Sequence, residues 1–225
     1  AKVAILEGFE TANQNAANAF LKTLEEPPGN VVLILTATTA DTLLPTITSR
    51  CRTISLRPLA TRLVETSLVE RWAVEPEQAR IFAHLADGRI GRAVALAQEP
   101  SIMEERAQRL ALLYETFEQS RVGRFAVADR LAKQPEELPD LLQLWLGIWR
   151  DLLLLATVGE GDDALSNVDQ LERLSAFAQA WPGNITVECL RQTEQVLWQL
   201  ERNANTRLVV ENLLLTYPAL QPAPA

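Results

Sequence analysis

Few residues in this chain of 225 have a type and spacing that could perform chemistry on their own. His84 is the single histidine, which excludes a multi-histidine metal site, and its helical surroundings favour a structural role. Neither Cys51 nor Cys189 has a histidine or a second cysteine at metal-ligand spacing. The sequence contains neither a phosphate-binding Gly-x-x-x-x-Gly-Lys-Ser/Thr loop nor a Gly-x-Ser-x-Gly nucleophile turn. We therefore predict no active site contained within this chain alone.

The composition is that of an ordinary globular protein, with 48% hydrophobic and 22% charged residues. The formal net charge is 21 − 29 = −8, which excludes a protein that coats nucleic acid through general positive charge. Two cysteines suit a reducing cytosol, so we expect a cytoplasmic protein. Arg150 and Asp151 interrupt the most apolar run, which favours a bundle helix over a membrane span. The chain begins on an apolar run without methionine, and we expect a C-terminal fragment.

The first 57 residues alternate strand and helix patterns, as in an α/β sheet. The predicted strands are 3–6, 31–35 and 53–56. A helix is expected over 13–26, stopped by prolines, and a short one over 45–49. From residue 58 onward the pattern is almost entirely helical, with three short helices followed by a bundle of six longer ones. Four tryptophans of the bundle are expected mostly in its core: Trp145, Trp149, Trp181 and Trp198.

Several segments, in order, resemble bacterial clamp-loader subunits of the AAA+ class in DNA polymerase III. These segments are Lys2 to Glu10, Asn15-Ala-Ala-Asn-Ala-Phe-Leu-Lys-Thr-Leu-Glu-Glu-Pro-Pro28, the Ser-Arg-Cys segment at 43–52, Gly88-Arg-Ile-Gly-Arg-Ala93 and 203–215. In the family they correspond to the Walker B strand, the helix after it, the Ser-Arg-Cys motif, the sensor 2 region and the last collar helix. The resemblance covers nearly the whole chain.

This sequence departs from the family at the end of the Walker B strand, where the subunit types of the family also differ. In AAA+ subunits that hydrolyse ATP, the Walker B strand ends in Asp-Glu. The aspartate helps to hold Mg²⁺ and the glutamate polarises the attacking water. Glu7 and Gly8 occupy these positions here, and glycine has no side chain to act on water. The degenerate Walker B pair resembles the delta-prime type more than the gamma/tau ATPase. A glycine that simply forms a turn after the strand is compatible with the same interpretation.

The resemblance implies a trans arginine finger at Arg50, within the Ser49-Arg50-Cys51 motif. A guanidinium can stabilise the charge that develops on a γ-phosphate during transfer, in this case on ATP bound by a neighbouring subunit. An ordinary helix-end arginine is the alternative, and Cys51 is expected to be a packing residue. Thr38 or Thr39 matches sensor 1 and Arg92 matches sensor 2, as vestigial nucleotide-contact positions. A residue that only fixes the orientation of the lid is the alternative for Arg92. A hydroxyl that caps local backbone is the alternative for the threonines.

We therefore predict a mainly α fold with an α/β remnant. Its parts are a partial AAA+ base domain (1–57), a three-helix lid (58–99), a helical collar for oligomerisation (100–217) and a disordered tail (218–225). The chain is predicted to be a non-hydrolysing stator and not an enzyme by itself, with no metal and no cofactor of its own, since ATP and Mg²⁺ bind neighbouring subunits. The expected partners are gamma/tau and delta subunits, the sliding clamp and primed DNA held by the ring, but no membrane. A gamma/tau ATPase fragment and a helical adaptor unrelated to replication are the rival interpretations.

Overall fold

The computed structural model describes residues 2–27, 29–159 and 164–220. It divides into two compact units, Ala1–Arg57 and Pro58–Ala225. The first unit contains a small sheet, and the second contains helices throughout its described part. This mixture agrees with the predicted mainly α chain that carries a small α/β portion.

Two parallel strands form the sheet of the first unit, β1 (Lys2–Leu6) and β2 (Val31–Leu35), with Lys2 opposite Val31 and Leu6 opposite Leu35. The crossover between them is α1 (Gln14–Glu25), as a parallel connection requires. A short helix α2 (Pro45–Thr48) follows the sheet. Single 3-10 turns precede α1 and α2, at Phe9–Thr11 and Ala40–Thr42.

The predicted third strand over residues 53–56 is wrong for this structure. No ladder forms there, and Ile54 and Leu56 are 74% and 92% exposed. The alternation of polar and apolar residues suits a strand, but a strand also needs a partner with free backbone groups. The described sheet consists of β1 and β2 alone.

Local sequence accounts for the ends of α1. The Asn13 side chain caps the helix by accepting a hydrogen bond from the Ala16 amide at 2.9 Å. The helix ends at Glu25, just before the Glu26-Pro27 step, where a residue preceding proline disfavours helical backbone. The residue buried on this helix is Ala17.

The second unit begins with three short helices, at the places the sequence predicts: α3 (Thr61–Trp72), α4 (Pro76–Leu85) and α5 (Ile90–Gln98). Val64, Leu68 and small alanines of α4 and α5 form their core. The turn between α4 and α5 requires Gly88, which has a φ of 74°. A Cβ there would lie 2.5 Å from the Leu59 carbonyl oxygen, so neither the conformation nor the space admits a side chain.

Six further helices follow among the described residues of the second unit: α6 (Pro100–Glu118), α7 (Arg121–Leu131), α8 (Leu138–Thr157), α9 (Leu171–Ala180), α10 (Gly183–Leu200) and α11 (Thr206–Thr216). Trp145, Trp149 and Trp181 are buried in their core, as predicted. Trp198 is not: 55% of it is exposed, and the Arg202 guanidinium covers its ring at 3.9 Å. Helical spacing places a residue on a face, but it does not say which face a neighbouring helix covers.

Two further contacts bear on the sequence predictions. His84 lies on α4, and its Nδ1 lies 2.7 Å from the Leu165 carbonyl oxygen, which fits the structural role expected for this histidine. In the predicted tail, Leu220 donates its backbone N–H to the Phe117 carbonyl at 2.9 Å, and 221–225 lie outside the described residues. None of the described helices is long and apolar enough to cross a membrane.

Candidate functional site

Arg50 directly follows α2 and is positioned by that short helix. Pro45 begins the helix with a φ already suited to it, and Ile47 is 1% exposed and anchors it. The Arg50 amide donates to the Ile47 carbonyl at 3.0 Å, which extends the turn by one residue. The backbone at Arg50 is therefore held in place, while its side chain remains 35% exposed.

The Arg50 guanidinium is bound within its own unit. Its Nε and NH2 groups donate to Glu25 Oε1 at 2.9 and 2.6 Å, and NH1 donates to the Thr46 carbonyl at 2.9 Å. A longer bond from NH1 reaches Ser49 Oγ at 3.3 Å. Half of the Glu25 side chain is exposed, so this ion pair contributes about 0–1 kcal/mol. Releasing Arg50 to another anion therefore costs little.

The Cys51 side chain is half-buried and its thiol is free. Its amide donates to the Thr48 carbonyl at 3.3 Å, so Cys51 belongs to the turn that ends α2. Nothing in this arrangement assigns the thiol a chemical role, which agrees with a packing residue.

The turn after β1 depends on Gly8, which has a left-handed backbone with φ 59° and ψ 45°. Its amide donates to Thr36 Oγ1 at 3.0 Å, and its carbonyl accepts from the Thr11 hydroxyl at 2.8 Å. A side chain would meet no atom within 4 Å, so the backbone conformation and not space favours glycine there. Glu7, next to it, is exposed. Gly8 thus forms a turn and supplies no carboxylate.

Thr38 lies after β2, and its hydrogen-bond donors already contact an acidic side chain. Its hydroxyl and its backbone N–H donate to Glu10 Oε1 at 2.5 and 3.1 Å. The Thr38 hydroxyl and then the backbone N–H groups of Glu10 and Thr38 lower the pKa of the Glu10 carboxyl below its ordinary value. Thr39 instead acts through its carbonyl, which accepts from the Thr42 hydroxyl at 2.7 Å. The Thr38 hydroxyl thus contacts a carboxylate 28 residues away, and the local bond at Thr39 uses its backbone carbonyl, so these contacts differ from the capping of local backbone by a hydroxyl that was the alternative.

Arg92 belongs to the second unit, on α5, and its side chain is exposed. It makes no hydrogen bond or ion pair with any residue in the part of the chain that the structure describes. Of the predicted positions, Arg50, Thr38 and Gly8 belong to the first unit, while Arg92 belongs to the other.

Sequence reasoning missed two acidic residues and one hydroxyl that complete the site. Glu25 pairs with Arg50, Glu10 pairs with Thr38, and Thr36 holds the Gly8 amide. Glu10 and Glu25 lie inside the quoted motifs, but each partner lies 25 or more residues away in sequence. Since both strands of a parallel sheet end at the same edge, pairing the turns after β1 and β2 was the available signal for the Glu10–Thr38 and Thr36–Gly8 contacts. Glu25 ends the crossover helix α1, so this signal does not extend to its pair with Arg50.

Over residues 2–27, 29–159 and 164–220, no three His, Cys, Asp or Glu side chains are grouped as metal ligands.

Comparison with known proteins shows that the chain is similar to subunits of one polymerase. The family model described as "DNA polymerase III, delta subunit" matches residues 1–60. The delta-prime subunit of DNA polymerase III from Bacillus subtilis is 30% identical over 220 residues, 95% of this chain and 65% of the relative. The Pseudomonas aeruginosa delta-prime subunit is 58% identical over 50 residues, 22% of this chain and 15% of the relative.

A tau subunit of DNA polymerase III from Bacillus subtilis is 24% identical over 210 residues, 84% of this chain and 37% of the relative. The chain spans less than two thirds of the length of each of these relatives. The family model and the delta-prime relatives support the resemblance predicted from the motifs, that of a delta-prime-like clamp-loader subunit of DNA polymerase III.

Proposed function

We propose that this chain acts as a stator in a DNA polymerase III clamp loader, where it donates Arg50 to ATP bound by a neighbouring subunit and does not itself hydrolyse ATP. The proposal depends above all on the geometry of Arg50. Its backbone is fixed by α2, its side chain is 35% exposed, and its only charged partner, within the described residues, is the half-exposed Glu25. Arg50 Nε and NH2 share the single oxygen Glu25 Oε1, whereas a γ-phosphate offers two oxygens to the guanidinium fork and carries more charge, so it can displace Glu25.

The turn after β1 supports the non-hydrolysing part of the proposal. Hydrolysis requires a carboxylate to orient the attacking water. Gly8 supplies none, and the Glu10 carboxylate, two residues later, is engaged by Thr38. A stator fits this arrangement better than an ATPase does.

We extend the proposal to the wider assembly. The partners would be gamma/tau and delta subunits, with the sliding clamp and primed DNA bound by the assembled ring in the cytoplasm. Since the chain carries a net charge of −8, it would share DNA binding with other subunits and not bind DNA alone. The last six helices would form the collar that joins the subunits.

The test is clamp- and DNA-stimulated ATP hydrolysis by a loader assembled from this chain with gamma/tau and delta. We expect Arg50→Ala to remove the turnover of the neighbouring site, since an arginine finger contributes on the order of 10³-fold or more to kcat. Arg50→Lys is expected to restore little, because an ammonium lacks the planar fork. Arg52→Ala, at an exposed arginine two residues away, is the matched control and is expected to leave the rate unchanged. Equal rates for the Arg50→Ala and unchanged loaders would contradict the proposal.

A gamma/tau-type ATPase is the second candidate, favoured by the likeness to the Bacillus subtilis tau subunit over 84% of this chain. It predicts that this chain's own subunit turns over ATP. Substituting Gly8→Glu separates the two candidates, because it restores a carboxylate at the family's position. A working ATPase should gain turnover from the restored carboxylate, whereas a stator's own turnover should stay at zero.

A further inference from the structure

The Glu25 carboxylate contacts the part of the Arg50 guanidinium that a phosphate would bind. Glu25 is the last residue of α1 and lies 25 residues before Arg50 in sequence. Its Oε1 accepts from both Nε and NH2 of Arg50, at 2.9 and 2.6 Å. On the other side of the guanidinium, NH1 donates to the Thr46 carbonyl at 2.9 Å and to Ser49 Oγ at 3.3 Å. Each edge of the guanidinium that could bind a phosphate through two donors is therefore at least partly engaged.

The exposure of the ion pair sets how strongly Glu25 can compete with a phosphate. The side chains of Arg50 and Glu25 are 35% and 51% exposed, so water screens their attraction. Pairing with Glu25 still lowers the fraction of Arg50 that is free to bind another anion, and the apparent affinity for that anion falls by the same factor. For a pair this exposed, the factor is at most about fivefold.

We propose that Glu25 is a positioning residue that holds Arg50 within its own unit until the γ-phosphate of a neighbouring subunit's ATP displaces it. This inference rests on the proposed function of Arg50. A phosphate carries more negative charge than a carboxylate, so the exchange favours ATP while the γ-phosphate is present and reverses when it leaves. Glu25 therefore makes the contact of Arg50 with the neighbouring subunit depend on a γ-phosphate.

The test compares kcat and KM for ATP in a loader assembled from this chain with gamma/tau and delta. Arg50 leaves Glu25 before the chemical step, so Glu25 should raise the ATP concentration that is needed and not change the rate at saturation. We expect Glu25→Gln to lower KM about two- to fivefold with kcat unchanged. Glu25→Ala, which also removes the amide oxygen as an acceptor, should lower KM at least as far.

Glu26→Gln is the matched control, because Glu26 is exposed and follows Glu25 directly at the end of α1. Both substitutions remove one negative charge near the negative end of the helix dipole, so an effect of the dipole or of net charge would appear in both. We expect Glu26→Gln to leave KM unchanged.

A double substitution tests whether Glu25 acts through Arg50. Equilibrium binding of ATPγS, a slowly hydrolysed analogue, is measured because it does not depend on turnover. Adding Glu25→Gln to Arg50→Ala should leave the affinity equal to that of Arg50→Ala alone, whereas Glu25→Gln alone should tighten binding.

Three results would overturn the inference and leave the proposed function intact. The first is an unchanged KM in a Glu25→Gln loader whose turnover still requires Arg50. The second is a fall in kcat in that loader, and the third is an equal effect of Glu25→Gln on ATPγS affinity in the presence and absence of Arg50. Turnover that does not require Arg50 would overturn the proposed function itself.

Discussion

Both units contain strongly apolar segments, but those of the first unit are largely exposed and those of the second are buried. In the sheet of the first unit, Val3 and Ile5 are each 60% exposed and Val32 is 50% exposed. In the bundle of the second unit, Trp145 and Trp149 are completely buried. The first unit thus presents apolar strand faces of the kind that parallel sheets normally cover with helices, whereas the second has closed its core.

This difference suggests a division of roles. Burial of apolar surface stabilises by about 25 cal/mol per Å², so the aromatic core of α6 to α11 supplies most of the stability of the chain. The first unit holds the candidate functional residues Arg50, Glu10 and Thr38 on a smaller framework. Exposed apolar strands are also surfaces that other protein segments can cover.

The largest expected effect is on the free energy of unfolding, when a buried side chain of the second unit is removed and compared with an exposed one of the first. Trp149 packs against Phe117, Trp181 and Tyr217, with ring centroids 5.6, 5.9 and 4.9 Å away. We expect Trp149→Ala to lower the free energy of unfolding by about 3–5 kcal/mol, because it leaves a large cavity. Val3→Ala should change it by no more than about 0.5 kcal/mol. Urea unfolding followed by circular dichroism measures both, and similar losses would contradict the division between units.

A smaller effect is expected where a buried arginine holds the end of the chain. Arg124 is 4% exposed and donates to the carbonyls of Leu214, Tyr217 and Pro218. Burial lowers the pKa of its guanidinium below the ordinary value. We expect Arg124→Ala to lower the free energy of unfolding by about 2–4 kcal/mol, since buried carbonyls lose a charged donor. The exposed Arg121→Ala should be nearly neutral in the same urea titration.

Limited proteolysis of the unsubstituted chain compares how well each unit resists cleavage. Cleavage by a nonspecific protease should begin within residues 1–57, where few apolar contacts resist local opening, and residues 58–217 should persist. Mass spectrometry of the early products identifies the first cuts. Cleavage of the bundle before the sheet would reverse the ranking.

The smallest effect concerns the two thiols. Burial raises the pKa of Cys189 to about 12, so at pH 8 this thiol stays protonated and unreactive in the folded chain. Its reactivity should rise only as the pH approaches that value or as the bundle unfolds. Cys51 is half-buried in the first unit and should react first. A thiol reagent at pH 8 should modify one cysteine quickly, with Cys51→Ser abolishing that phase, and equal rates for both thiols would contradict the comparison.

Helical spacing and helix-stop residues were enough to predict α1 and all of the helices from α3 to α11, because these signals lie within each segment. Spacing could not decide what covers a face, so the third strand at 53–56 was predicted wrongly, and the expectation that the four tryptophans lie mostly in the core could not single out Trp198 as the exposed one. The family motifs pointed to Arg50 and Thr38, because each position of a motif corresponds to one residue of this sequence. The pair of Thr38 with Glu10 follows from the turns that meet at one edge of a parallel sheet, whereas the pair of Arg50 with Glu25 depends on how the end of α1 meets the end of α2, which a single sequence does not reveal.

The most direct test of the central claim counts ATP hydrolysed in the first turnover of an assembled loader. With Arg50→Ala, we predict that the burst falls by the amount of one ATP site while the number of ATP molecules bound stays the same. Glu25→Gln serves as the companion variant: it frees the Arg50 guanidinium and should keep the full burst. A full burst from the Arg50→Ala loader would contradict the claim that Arg50 acts on a neighbour's ATP.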